Sequence, residues 1–136
     1  MREILFRGRN ENSTWIYGSL LVDKDTFDKN AFIYYICDID GYSTEIVNTK
    51  TIGQFTGMTD KNGEKIFEGD IVMHIQKHEI SGKVKSIAVI KWDEAYSCYS
   101  VEYTNDRITA FLGTEHHRLE VIGNIHDNPE LLEGKA

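Results

Sequence analysis

The chain has 136 residues, 40% of them hydrophobic and 27% charged, with a net charge of −7. That composition suits one domain, or one domain with a small appended lobe, and excludes a disordered chain. The acidic balance weighs against a protein that binds DNA mainly through phosphate contacts, because counterion release favours basic surfaces. The N-terminal "MREILFRGRNENS" carries charge but no apolar core of a signal peptide. The longest apolar run, "AFIYYIC", falls far short of the ~20 residues that a membrane helix needs. Cys37 and Cys98 form no CxxC, so no zinc or redox motif is offered. Each reads as a packed thiol, and the expected setting is a reduced cytoplasm.

In chain order, "ILFRG" and "TWIYGSLLV" flank the polar "RNENS", which reads as a first hairpin loop. "DKDTFDKN" is a loop or a single helical turn. "AFIYYIC" reads as a buried strand and "DIDGY" as its turn. "TKTIGQFTG" is a further extended run. "DIVMHIQ" puts Ile71, Met73 and Ile75 on one face, and "KVKSIAVIKW" puts Val84, Ala88, Ile90 and Trp92 on one face. "YSCYSVEY", "RITAFLG" and "LEVIGNI" complete about five short strands. At the end, Asn128 and Pro129 occupy an N-cap and a first helical position, so a single terminal turn is expected. The expected fold is mainly β: an N-terminal β region over 1–66, a small SH3-like barrel over 67–127 and a terminal turn and tail over 128–136, or all three as one compact domain.

The most patterned stretch is "TDKNGEKIFEGDIV", residues 59–72. A calcium loop beginning at Asp60 would need Gly at its sixth position and Glu at its twelfth. Lys65 and Ile71 stand there instead. A phosphate loop needs GxxxxGK[ST], which is also missing. Asn62-Gly63 instead reads as a type I′ hairpin turn, whose central residues both need φ > 0. Gly69-Asp70 reads as a second turn before the next strand.

Two blocks, "TIGQFTGMTDKNGEKIFEGDIV" and "EVIGNIHDNPELL", together with "FRGR" and "WIYGSLL" near the start, resemble the YopX-like family of phage and prophage proteins. The resemblance implies a small, mostly β protein of a phage or prophage in a bacterial host. It implies no catalytic set, cofactor or metal. Gly53, Gly57, Gly63 and Gly69 in these blocks read as backbone positions, and Ile66, Phe67, Ile71 and Val72 as packing.

Candidate chemistry is sparse. His74 and His78 are too far apart along a strand to share one metal ion, at ~13 Å for four residues. His116 and His117 would point to opposite sides if extended, and a site built from His78, His117 and His126 would need the fold to assemble it. Cys98 follows Asp93 and Glu94, a setting that disfavours a thiolate. The remaining signal is basic: Lys77, Lys83, Lys85 and Lys91 against Glu79 give a net +3 over residues 77–91. With Tyr96, Tyr99 and Tyr103 on the next strand this could hold single-stranded nucleic acid, but it also suits lysines that protect an edge strand from self-pairing. The expected activity is therefore non-enzymatic: protein–protein contact, including a homo-oligomer, with a nucleic-acid-binding module using residues 77–103 as the alternative.

Overall fold

The computed structural model describes residues 1–133 other than 42, 79, 81, 106 and 107, and only the backbone at 76–78 and 83. The chain divides into two compact units, Met1–Phe55 and Thr56–Ala136. Both are built from antiparallel strands, as the alternating apolar runs and frequent turn residues lead one to expect. No helix among the described residues is long and apolar enough to cross a membrane.

The first unit contains β1 (Phe6–Arg9), β2 (Trp15–Lys24), β3 (Phe32–Asp38) and β4 (Thr44–Ile46), and β1 also pairs with the start of β5 (Gly53–Thr59). The strand order is β4-β3-β2-β1. Ile16, Ile36 and Val47 form its core, with Phe6, Leu20, Tyr34 and Ile52 packed around them. Gly18 is required in β2: a Cβ there would lie 1.8 Å from the carbonyl oxygen of Cys37. The run "TKTIGQFTG" is not extended throughout, since Thr49–Thr51 form a 3-10 turn capped by the Asn48 side chain. "DKDTFDKN" is a loop at Asp25 to Asn30, without a helical turn.

The second unit opens with a hairpin joining the end of β5 to β6 (Lys65–Phe67). Then come β7 (Asp70–His78), β8 (Gly82–Asp93), β9 (Cys98–Tyr103), β10 (Thr109–Phe111), the short helix α1 (Leu112–Glu115) and β11 (Leu119–Asn124). The last five strands form one sheet in the order β10-β9-β8-β7-β11. Its two edges, β10 and β11, are not paired with each other among the described residues. Ile66, Val72, Ala88, Ile90, Val101, Leu112 and Leu119 make the core. The face of β7 that enters this core carries Val72 and His74, not the Ile71, Met73 and Ile75 face that alternation favours. Ile71 is buried all the same, on the opposite face, as is its pair partner Val89. Alternation alone cannot choose between two buried faces.

Beyond the core, among the described residues, the β7–β8 pair continues alone. The β11 register stops at Leu119↔His74 and the β9 register at Ala88↔Tyr103, while β7 and β8 stay paired out to His78↔Gly82. The outer half of this hairpin is a two-stranded ribbon. At the C-terminus, Pro129–Leu132 form a 3-10 turn, but the Asn128 side chain does not cap it. Its Oδ1 accepts instead from Asn124 N at 3.3 Å.

Candidate functional site

Residues 60–64 form a closed hydrogen-bonded loop. Asp60 N donates to Glu64 O at 2.8 Å and Gly63 N to Asp60 O at 3.0 Å. Asp60 Oδ1 accepts from Asn62 N at 2.8 Å and Glu64 N at 2.9 Å. Only Gly63, at φ 82°, is left-handed; Asn62 is not. The expected type I′ turn is thus corrected to a three-residue loop, Lys61-Asn62-Gly63, closed by a left-handed glycine. The Asp60 side chain explains the difference, because it holds Asn62 N and Glu64 N from inside the loop and sets the longer connection. Asp60 is 5% exposed, and its second oxygen, Oδ2, accepts from Val121 N in β11 at 2.9 Å. Lys61 N also donates to Leu119 O. The segment that resembled a calcium loop is a strand-edge clamp. The turn at Gly69 (φ 89°) and Asp70 is likewise structural: the buried Asp70 accepts from Phe67 N at 2.7 Å through Oδ2.

The basic segment is divided by the sheet. Lys91 lies where β8 pairs with β9, opposite Ser100, and Lys85 lies on the ribbon, opposite Ile75. β8 is the middle strand of its sheet, so the expectation of lysines along an edge strand holds nowhere in the core. Among the described residues only the outer ribbon gives β8 an open side. Lys91 is paired with Glu102 at 3.2 Å, both about half exposed. Tyr99 sits opposite Trp92, the next residue along from Lys91, and therefore on the other face of the sheet. There it packs edge-on to Trp92 with ring centroids 5.1 Å apart. The structure thus separates Tyr99 and Tyr103 from Lys85 and Lys91, and Tyr96 lies in the turn between β8 and β9 rather than on a strand. The side chains of Lys77 and Lys83 lie outside the described residues, although the register sets the two positions opposite each other.

His116 and His117 do not point to opposite sides as they would in a strand: they lie in the 3-10 turn His116–Arg118 with ring centroids 5.6 Å apart, edge to face. His74 is buried, with Nδ1 3.2 Å from Tyr103 Oη. His116 Nδ1 lies 2.8 Å from Thr59 O. The side chain of His78 lies outside the described residues, so its place in a three-histidine site is not described. Among the described residues no group of three His, Cys, Asp or Glu is placed to hold a metal ion. Cys37 and Cys98 are free and half-buried, less enclosed than expected. A cleft of about 630 Å³ lies on the other face of the sheet from the core, floored by Val89, Ile125 and Leu132 and rimmed by the Lys91–Glu102 pair.

In the first unit, Arg7 and Arg9 lie over the Trp15 ring, at 4.8 and 5.3 Å from its centroid. Their spacing of two on β1 was the available signal for this cluster, since it puts both on one face. On that face Leu21, Tyr35 and Ile46 are aligned across β2, β3 and β4. Leu21 and Ile46 are 51% and 58% exposed.

These features define a small, mainly antiparallel β protein whose buried carboxylates serve its backbone. The model of the YopX protein family matches residues 5–133, and the chain belongs to that family. It is also similar to the crystal structure of protein EF1440 from Enterococcus faecalis: 25% identity, TM-score 0.58, covering 97% of this chain and 99% of that one. None of the curated proteins matches.

Proposed function

We propose that the protein is a non-enzymatic interaction module, an accessory protein of a phage or prophage in the bacterial cytoplasm, that contacts other proteins and copies of itself. The observation that carries this is the aligned row Leu21–Tyr35–Ile46, apolar and open on a sheet face of the first unit. Contiguous exposed apolar surface of this kind is a feature of association sites. Sedimentation over a concentration series tests it. The wild-type chain associates, and Leu21→Ser with Ile46→Ser returns it to monomer with its melting temperature retained. A wild type that stays monomeric at every concentration counts against self-association.

The second reading is nucleic-acid binding, favoured by the two-stranded outer ribbon of β7–β8 with Lys85 exposed on it. A two-stranded β-ribbon fits a major groove. On this reading an oligonucleotide binds at low salt and dissociates as salt rises, and replacing Lys77, Lys83 and Lys85 by Ser removes the binding. Salt-independent binding, or none, discards it.

A further inference from the structure

The open edge of β4 is a second feature of the first unit, separate from its apolar face. Asp38 N donates to Ser43 O at 2.8 Å and Val47 N to Tyr34 O at 3.0 Å, one at each end of the β3–β4 pairing. Hydrogen-bonded pairs alternate along an antiparallel ladder. Ser43, Glu45 and Val47 therefore bond to β3, whereas the N–H and C=O groups of Thr44 and Ile46 point away from it. Among the described residues no backbone group takes them, and β4 is the terminal strand in the order. The strand carries no proline, lysine or bulge; what guards it from pairing is its length of three residues and the charge of Glu45. Beside it runs a trough of about 610 Å³, formed with the Asn10–Ser13 loop.

We propose that this edge takes up an extended peptide segment of another protein as an added strand, one that carries lysine or arginine at alternate positions. This rests on the interaction reading above and names the partner's chemistry. Thr44 and Ile46 supply two donors and two acceptors to the incoming main chain, the usual mode of strand addition. The two faces of β4 set its side chains. Ile46, beside Tyr35, offers an apolar surface to one face of the peptide. On the other face the trough is lined by Glu11 and Glu45, with no basic residue. Charge decides between this occupant and a second copy. Self-pairing centred on Glu45, the register that engages both Thr44 and Ile46, would set two Glu45 carboxylates directly opposite in a chain of net charge −7. Like charges so placed oppose pairing. A basic alternating peptide meets the same carboxylates with the opposite sign.

The test uses the full chain and two labelled heptapeptides, one alternating valine with lysine and one alternating valine with glutamate. The lysine peptide binds, the glutamate peptide does not, and the amide protons of Thr44 and Ile46 become protected from exchange. Thr44→Pro removes an outward donor without touching the β3 ladder and weakens binding roughly tenfold. Glu45→Gln, a milder change that keeps the fold should the proline disturb it, weakens the lysine peptide several-fold. Equal binding of both peptides, or binding that leaves Thr44 and Ile46 unprotected, overturns the assignment. So does a peptide-free dimer that protects the same two amides and tightens in Glu45→Gln, which would make a second copy the occupant. If no peptide binds while the chain still associates through Leu21, this edge fails and the interaction reading survives. If the chain also stays monomeric, both fail.

Discussion

Two loops of this protein share one hydrogen-bond pattern and end differently. In Asn10-Glu11-Asn12-Ser13-Thr14, as in Asp60-Lys61-Asn62-Gly63-Glu64, the first residue's Oδ1 accepts from the third and fifth N–H groups. In both, the first and fifth residues are bonded through the backbone, and the fourth is left-handed. What differs is the second atom of the first side chain. Asp60 has an acceptor there and takes the main-chain N–H of Val121 in the edge strand β11. Asn10 has a donor there and reaches the side chain of Glu45 in the edge strand β4, at 2.9 Å. In one loop the second atom, an oxygen, engages an edge's backbone; in the other, a nitrogen, it reaches only a side chain and leaves the edge's backbone open. An Asx residue that builds a loop can also decide which edges of a sheet remain available.

The comparison breaks most sharply at Asp60. Asp60→Ala leaves three backbone N–H groups without their charged acceptor, one of them across to β11, and lowers unfolding free energy by about 3–5 kcal/mol in denaturant titration. A loss below ~1 kcal/mol would show that water replaces the carboxylate. The left-handed position comes next. Gly63→Val, at φ 82°, costs about 2 kcal/mol, seen as a lower melting temperature. Asn10→Asp keeps the loop's Oδ1 bonds but sets a carboxylate against Glu45, a loss of about 1 kcal/mol at low salt that shrinks as salt is added. Smallest and opposite in sign is Ser13→Gly. It relieves a serine held at φ 61° and raises stability by about 0.5 kcal/mol, read as a slightly higher denaturant midpoint.

Much of the second unit was legible because its signals are local. The runs at Ile71, Val84, Tyr99, Thr109 and Val121 each became a strand of the five-stranded sheet. Gly63 and Gly69 declared their turns because φ > 0 is a property of the residue itself. What depends on partners distant in sequence was not legible. Nothing near Asp60 announces Val121. Nothing in "WIYGSLL" announces that the Cys37 carbonyl presses on Gly18. The place of β8 in the middle of its sheet follows from pairing order, which a lysine count cannot supply. Opposite faces separated Tyr99 from the lysines for the same reason: the register between strands, not the residues within them, decides which side chains meet. The open edge of β4 could be seen only once the phase of the β3–β4 ladder was known.

The bond from Asp60 to Val121 spans 61 positions. Its two ends become neighbours once β11 has paired with β7, which begins at Asp70, just after the Asp60 hairpin. An interaction absent from the folding transition state leaves the rate of folding nearly untouched and governs the rate of escape from the finished structure. If the Asp60 bond forms after the folding barrier, Asp60→Ala speeds unfolding and leaves the folding rate unchanged in stopped-flow kinetics, and the carboxylate is a latch on lifetime. It then sets how long a folded molecule persists before opening, and so how long the β11 side of the second unit stays closed to proteases and to other chains.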